Sequence, residues 1–453
     1  MKKRNTFSGK LGFVLSAAGS AVGLGNIWRF PYLAAKYGGG IFLLVYLLLV
    51  FTFGYTMIVA ETTIGRMSQQ SPVGAFRFFS SKPWAKAAGW LNAIIPILIV
   101  PYYSVIGGWV CKYLYESVFG QMQQIAQDNY FPSFIADGIA VEFWFLAFTL
   151  ATAWIIYKGV KNGIEKVSRI LMPILIVLAG IISVYSITRP SAMEGVRYFL
   201  IPDFSRFSWM TVVSAMGQMF YSLSIAMGIM ITFGSYMSKH VSIEQATTNV
   251  EIFDTVIAIL AGLMIIPAVF AFSKGDPSML QAGPSLMFIT IPKVFASMGL
   301  GKPISILFFL LVLFAALTSA ISLMESAVST FEDQWQLSRK KSTFVMTGIM
   351  TALGTLSALG YGPLAAIQIM GMSFLDFFDF LTNSIMMPIA ALSICILAVK
   401  AIGLDRMGEH IRLYHAPFKR EAVFRFMIRV LCPLFVLIIF LSSIAQMLGW
   451  ISV

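Results

Sequence analysis

Gly19-Ser20-Ala21-Val22-Gly23-Leu24-Gly25-Asn26 lies in the middle of an apolar run reaching from residue 11 to 36, and how this stretch is read decides the fold. Glycine costs a helix roughly 1 kcal/mol relative to alanine, so three glycines in seven residues invite a local break. A break bares peptide N–H and C=O groups. At membrane depth that is tolerated only where the break lines a polar or ion-filled cavity. The same small residues would also suit close GxxxG-type helix contact, and spacing alone leaves both readings open. A second stretch of this character, Ser222-Leu223-Ser224-Ile225-Ala226-Met227-Gly228, interrupts a later apolar run.

The rest of the chain fixes the solvent as lipid. Hydrophobic residues make up 58% and charged residues 11% of 453 positions, with a mean hydropathy of +0.82. No soluble chain of this length can bury that fraction. A spanning helix needs roughly 20 apolar residues, and about eleven such runs are expected: 11–36, 40–65, 86–118, 140–158, 164–187, 210–237, 248–273, 303–332, 343–359, 374–399 and 424–448. They form one membrane domain over 1–453. Five helices (11–187) and five more (210–399) make two equal sets, and an odd number per set turns the second upside down relative to the first. The expected fold is therefore an all-α polytopic 5+5 inverted repeat with discontinuous first and sixth helices, plus one extra C-terminal helix.

The net charge of +12 does not point to nucleic acid, because Lys and Arg gather in alternate connections, as at Arg66 to Lys86, Lys158 to Arg169 and Arg339 to Lys341. That asymmetry predicts a multi-pass cell-membrane protein with a cytoplasmic N-terminus and Val453 outside. Cys111, Cys395 and Cys432 sit in apolar runs without CxxC spacing, so they frame neither disulfides nor zinc. His240, His410 and His415 fall in loops or beside the membrane. Nothing in the residues fixes an oligomeric state.

Several polar residues fall inside the apolar helices, namely Asn26, Arg29, Glu61, Gln218, Asp254, Glu325, Asp376 and Asp379. A charge at the bilayer centre costs about 2.5–3.5 kcal/mol on insertion scales, so such groups pair, bind ions or face water. Glu61 suits a structural ion pair near the cytoplasmic end, whereas Asp254 has no basic neighbour in sequence. Sodium takes a compact shell of neutral oxygens with one or two carboxylates, by the hard-oxygen logic of calcium and magnesium. Carbonyls around Gly19 to Val22, Asn26, Ser222 and Asp254 offer one such cage. Thr318 and Ser319 offer hydroxyls for a second, or simply bond their own helix carbonyls.

The stretch Ser16 to Pro31 with its Gly38-Gly39-Gly40 sequel resembles the first helix of the neurotransmitter:sodium symporter family. The resemblance extends through Pro101-Tyr102-Tyr103, Gly217 to Ser224, Ala315 to Ser319 and Phe331-Glu332-Asp333. It is strongest to the bacterial eleven-helix branch with its tyrosine and hydrophobic amino-acid transporters, and it implies a symporter importing a zwitterionic amino acid with one or two sodium ions. The resemblance places one sodium at Ala21, Asn26, Ser222 and Asp254, completed by the substrate carboxylate. A second falls at Gly19, Val22, Ala315, Thr318 and Ser319. The substrate carboxylate is implied to meet the Leu24 and Gly25 amides, where a half-helix N-terminus favours anions, and the Tyr103 hydroxyl. Its ammonium faces carbonyls at Ala21, Tyr221 and Ser224. Ile99, Tyr103, Tyr221, Met227, Ala320 and Leu323, with Phe220 and Ser319 nearby, form an apolar pocket suited to a hydrophobic or aromatic side chain. Gly23 stands where carriers of decarboxylated amines place an aspartate, which implies a zwitterion. Asp254 and Ala258 replace the asparagine and serine of chloride-dependent members, so no chloride is expected.

Gates are implied at Arg29 with Asp379 on the outer side, and at Arg4 with Asp333 on the cytoplasmic side. Two other classes remain to be weighed. A proton-coupled amino-acid carrier of the same fold would let Asp254 titrate. An intramembrane aspartyl protease would need a second carboxylate to share a proton, and position 26 is Asn.

Overall fold

The computed structural model describes residues 5–273 and 283–447. Nine helices among them are long and apolar enough to span a bilayer, and a bent pair makes a tenth span. That pair is α1 (Lys10–Ala21) and α2 (Gly25–Lys36), which meet at 53°. Next come α3 (Gly40–Ser68), α4 (Pro83–Phe119), α5 (Gly138–Tyr157) and α6 (Val160–Ile187). The expected sixth span is split more widely, into α7 (Trp209–Ser222) and α8 (Ile229–Ser235), with six non-helical residues between. Then follow α9 (Ile243–Ser273), α10 (Gly301–Gln334), α11 (Arg339–Leu359), α12 (Phe374–Ile402) and α13 (Glu421–Gln446).

The breaks fall where glycine and small residues make them cheap. α1 ends because Val22 turns extended, at φ −78° and ψ 96°. The Gly23 amide beyond it donates to Asn26 Oδ1 at 3.2 Å, so a side chain of α2 reaches back across the break. The second break is more strained. Ser224, Ala226 and Gly228 all have left-handed backbone, with φ of 53°, 60° and 68°, a conformation costing an L-residue roughly 1–2 kcal/mol. Glu61 from α3 offsets part of that cost by accepting the Ala226 amide at 2.7 Å. The expectation of an ion pair at Glu61 is thereby corrected. The fully buried carboxylate meets no cation within 4.0 Å among the described residues, because its work is to satisfy a bared peptide.

The broken helices occupy the centre of the bundle. α1 lies against α6, α9 and α10, α7 against α3 and α13, and α8 against α3. Peripheral helices shield them; α5 and α11 turn Ile139, Phe143, Trp154 and Phe344 outward, where lipid is their solvent. The end of the bundle that gathers the most Lys and Arg is closed by a buried network. Arg339 pairs with Glu325 at 2.5 Å and donates to the Ile156 carbonyl at 2.9 Å, while the Tyr236 hydroxyl donates to Glu325 at 2.7 Å. Ahead of α1, Phe7 is buried against Phe13, Phe233 and Tyr236, and the Ser8 amide donates to Glu165 at 2.9 Å.

Candidate ion and substrate site

The two breaks face each other. The Ser20 hydroxyl donates to Ser224 Oγ at 3.1 Å, and Ser224 Oγ donates to the Ser20 carbonyl at 3.0 Å. On one side of this junction Asn26, Ser222 and Asp254 converge. Asn26 Nδ2 donates to Asp254 Oδ1 at 2.8 Å and to Ser222 Oγ at 3.0 Å, and Ser222 Oγ donates to Asp254 Oδ1 at 2.6 Å. Tyr46 of α3, which sequence reading missed, donates to Asp254 Oδ2 at 2.8 Å. Its only signal was a hydroxyl inside the run Leu44-Val45-Tyr46-Leu47, a pattern shared with ordinary membrane tyrosines. All four residues are essentially inaccessible to solvent. A buried carboxylate answered only by neutral groups holds a negative charge that a small cation would balance.

A second convergence joins α1 to α10. Ser319 Oγ lies 3.3, 3.2 and 3.3 Å from the carbonyl oxygens of Gly19, Ser20 and Val22. Thr318 stands against Gly19, where a Cβ would come within 3.1 Å of the threonine Cβ, and its hydroxyl donates to the Phe314 and Ala315 carbonyls at 3.0 and 3.2 Å. Gly19, Val22, Ala315, Thr318 and Ser319 are thus neighbours, and the Thr318 hydroxyl also takes the own-helix bonds that the sequence left as an option.

Between the two convergences lies a cavity with ≈ 360 Å³ of atom-free space, part of it open to solvent. The broken segments supply its polar wall: Ala21, Gly23, Leu24, Gly25, Ser222 and Ser224. Ile99, Tyr103, Tyr221, Met227 and Leu323 supply the apolar wall, with Ile229 added to the expected set. The Leu24 amide donates to the Tyr103 hydroxyl at 3.3 Å, so both groups implied to meet a carboxylate are neighbours. Ala320 is buried but lies outside the cavity lining, and Phe220 faces a separate space of ≈ 650 Å³ on the Arg29 side.

The expected gate residues are arranged less directly. No ion pair within 4.0 Å joins Arg29 to Asp379; the guanidinium lies over the Tyr221 ring, 5.4 Å from its centroid. Asp379 instead accepts from Tyr102 at 3.1 Å and from Asn383 at 2.6 Å. Arg4 lies outside the described residues. Its expected partner Asp333 accepts the Ser71 amide at 2.6 Å. The protease reading has no second carboxylate at Asp254, whose partners are an amide and two hydroxyls.

Comparison with known proteins shows the family. The model of the sodium:neurotransmitter symporter family matches residues 4–131 and 135–450. An uncharacterised sodium-dependent transporter of Bacillus subtilis, YhdH, is 33% identical over 97% of both chains. The sodium- and chloride-dependent GABA transporter 2 of Macaca fascicularis is 28% identical over 75% of this chain and 63% of its own length. Among solved structures, that of MhsT in complex with L-phenylalanine superimposes with a TM-score of 0.87 at 38% identity, covering 97% of this chain and all of the other.

Proposed function

The chain belongs to the sodium:neurotransmitter symporter family, a family of sodium-coupled secondary transporters and not of enzymes, and from that premise we propose that it imports a zwitterionic amino acid with a hydrophobic or aromatic side chain. Transport runs by alternating access, driven by one or two sodium ions and without chloride, through a cell membrane whose cytoplasmic side holds the N-terminus. The observation that carries this reading is the contiguity of three parts: a buried carboxylate cluster, a helix start at Leu24 and Gly25, and an apolar cavity. The clustered Asp254, Asn26 and Ser222 would hold sodium together with the Ala21 carbonyl. The N-terminus of α2, at Leu24 and Gly25, would hold the substrate carboxylate, leaving its other oxygen to complete the ion's shell. The carbonyls of Ala21, Tyr221 and Ser224 would take the ammonium, and Ile99, Tyr103, Met227 and Leu323 the side chain.

The second sodium would sit among Gly19, Val22, Ala315, Thr318 and Ser319, tying α1 to α10 while the cavity is occupied. Arg29 with Asp379, and Arg4 with Asp333, would close the two ends; pairs that must open in each cycle suit wetted contacts worth about 1 kcal/mol or less. MhsT, at 38% identity, is a phenylalanine-bound protein by its description, which supports an aromatic cargo here.

Reconstituted uptake tests the reading. Labelled phenylalanine, leucine and tyrosine should accumulate with external sodium, fall to background with potassium or choline, and be unaffected when gluconate replaces chloride. Uptake that persists without sodium would favour the proton-coupled carrier, and chloride-dependent uptake would remove the charge role given to Asp254.

A further inference from the structure

Outside the transport site, an open groove runs between the start of α5 and the end of α11. Its floor is closed by tight packing, since a Cβ at Gly138 would come within 2.9 Å of Pro363, and one at Gly362 within 2.4 Å of the Ala136 carbonyl. Its walls are apolar and turned outward: Ile139 is 87% and Phe143 62% exposed. Two carboxylates, Asp137 and Glu142, also line it. Asp137 Oδ1 caps α5 by accepting the Ile139 and Ala140 amides. Glu142 Oε1 accepts from the Thr355 hydroxyl at 2.7 Å, while Oε2 is buried with no partner among the described residues.

A carboxylate oxygen withdrawn from water costs several kcal/mol unless a donor or cation reaches it. The described residues offer none here. No Lys or Arg occurs between residues 121 and 157 or between 342 and 376, the segments forming both walls. The cation must come from what fills the groove, and the exposed Ile139 and Phe143 make that occupant apolar beyond its charged end. We propose that the groove seats a phospholipid of the adjoining leaflet through a primary ammonium headgroup, as in phosphatidylethanolamine. Its N–H groups donate to Glu142 Oε2 with Asp137 adding negative potential, and its acyl chains lie along Ile139, Phe143 and Leu359. A quaternary headgroup brings the charge but has no N–H to give, and an anionic headgroup is repelled.

The full chain in nanodiscs of equal parts phosphatidylethanolamine, phosphatidylcholine and phosphatidylglycerol, released into the gas phase intact, reports the lipid that stays bound. Phosphatidylethanolamine should be retained over the other two by about tenfold, the size of one charge-assisted hydrogen bond. Glu142→Gln, which keeps an acceptor for Thr355, should bring that ratio near unity. Leu359→Trp leaves the carboxylates in place and fills the groove, so it should lower retention of all three; it serves as the second variant should Glu142→Gln fail to fold. Equal retention of the three lipids by the wild-type chain, or an unchanged ratio in Glu142→Gln, would overturn the proposal.

Discussion

Gly23 leaves no space for a side chain, since a Cβ there would lie 2.8 Å from Ser319 Oγ and 3.1 Å from the Tyr103 hydroxyl. An aspartate at this place would push both aside and set a carboxylate against the amide that a zwitterion's own carboxylate is proposed to occupy. Gly23→Asp should weaken amino-acid binding by roughly a hundredfold, the scale set by an uncompensated buried charge; equilibrium binding of labelled phenylalanine measures it. Near-normal affinity would move the carboxylate site elsewhere. Asp254 is the complementary case. Asp254→Asn removes the carboxylate bonded to Asn26 and Ser222, and uptake should fall at least tenfold with or without chloride. Adding Ala258→Ser, one turn along α9, should restore uptake only when chloride is present. Asn26, Ser222 and Asp254 were legible in sequence because a polar group in hydrocarbon has few excuses. Tyr46 was not, since an aromatic residue with a hydroxyl looks alike whether it bonds a carboxylate or packs.

Breaks in helices were legible where glycine announced them and less so where strain is held by a distant group. The α1 break follows from Gly19, Gly23 and Gly25, and the sequence also placed the α7 break near Ser222. What it did not carry was left-handed backbone at Ser224 and Ala226, the first bonded to Ser20 and the second to the Glu61 carboxylate from another helix. Long-range satisfaction of this kind has no local signature. The Glu325–Arg339 pair is a second example, joining α10 to the start of α11 across the turn between them. Glu325 is fully buried and Arg339 only 15% exposed, so removing one partner leaves a charge in the bundle. Arg339→Gln should lower stability by about 3–5 kcal/mol, and Arg339→Gln with Glu325→Gln should recover most of that. Thermal unfolding in detergent compares the three. A double variant no better than the single one would show that the lost Ile156 carbonyl contact, not the stranded carboxylate, dominates.

At the scale of the whole molecule, the expected inverted repeat brings the two broken helices together at the bundle centre, and their junction is where ion and passenger would share atoms. If the substrate carboxylate completes the sodium shell, each ligand raises the other's affinity by the same factor, because the free energy of the doubly bound state does not depend on the order of arrival. Couplings of this kind typically span about 5–150-fold. The affinity for phenylalanine measured at saturating and at vanishing sodium should therefore change by the same ratio as the affinity for sodium measured with and without phenylalanine. Asn26→Ala removes a proposed ion ligand outside the apolar wall, so it should weaken sodium binding while leaving the sodium-free affinity for phenylalanine within about twofold. In that variant both ratios should shrink together, since they measure one coupling energy. A ratio that shrank for one ligand and not the other would mean that the two affinities report different sites, and the shared-carboxylate arrangement would have to be abandoned.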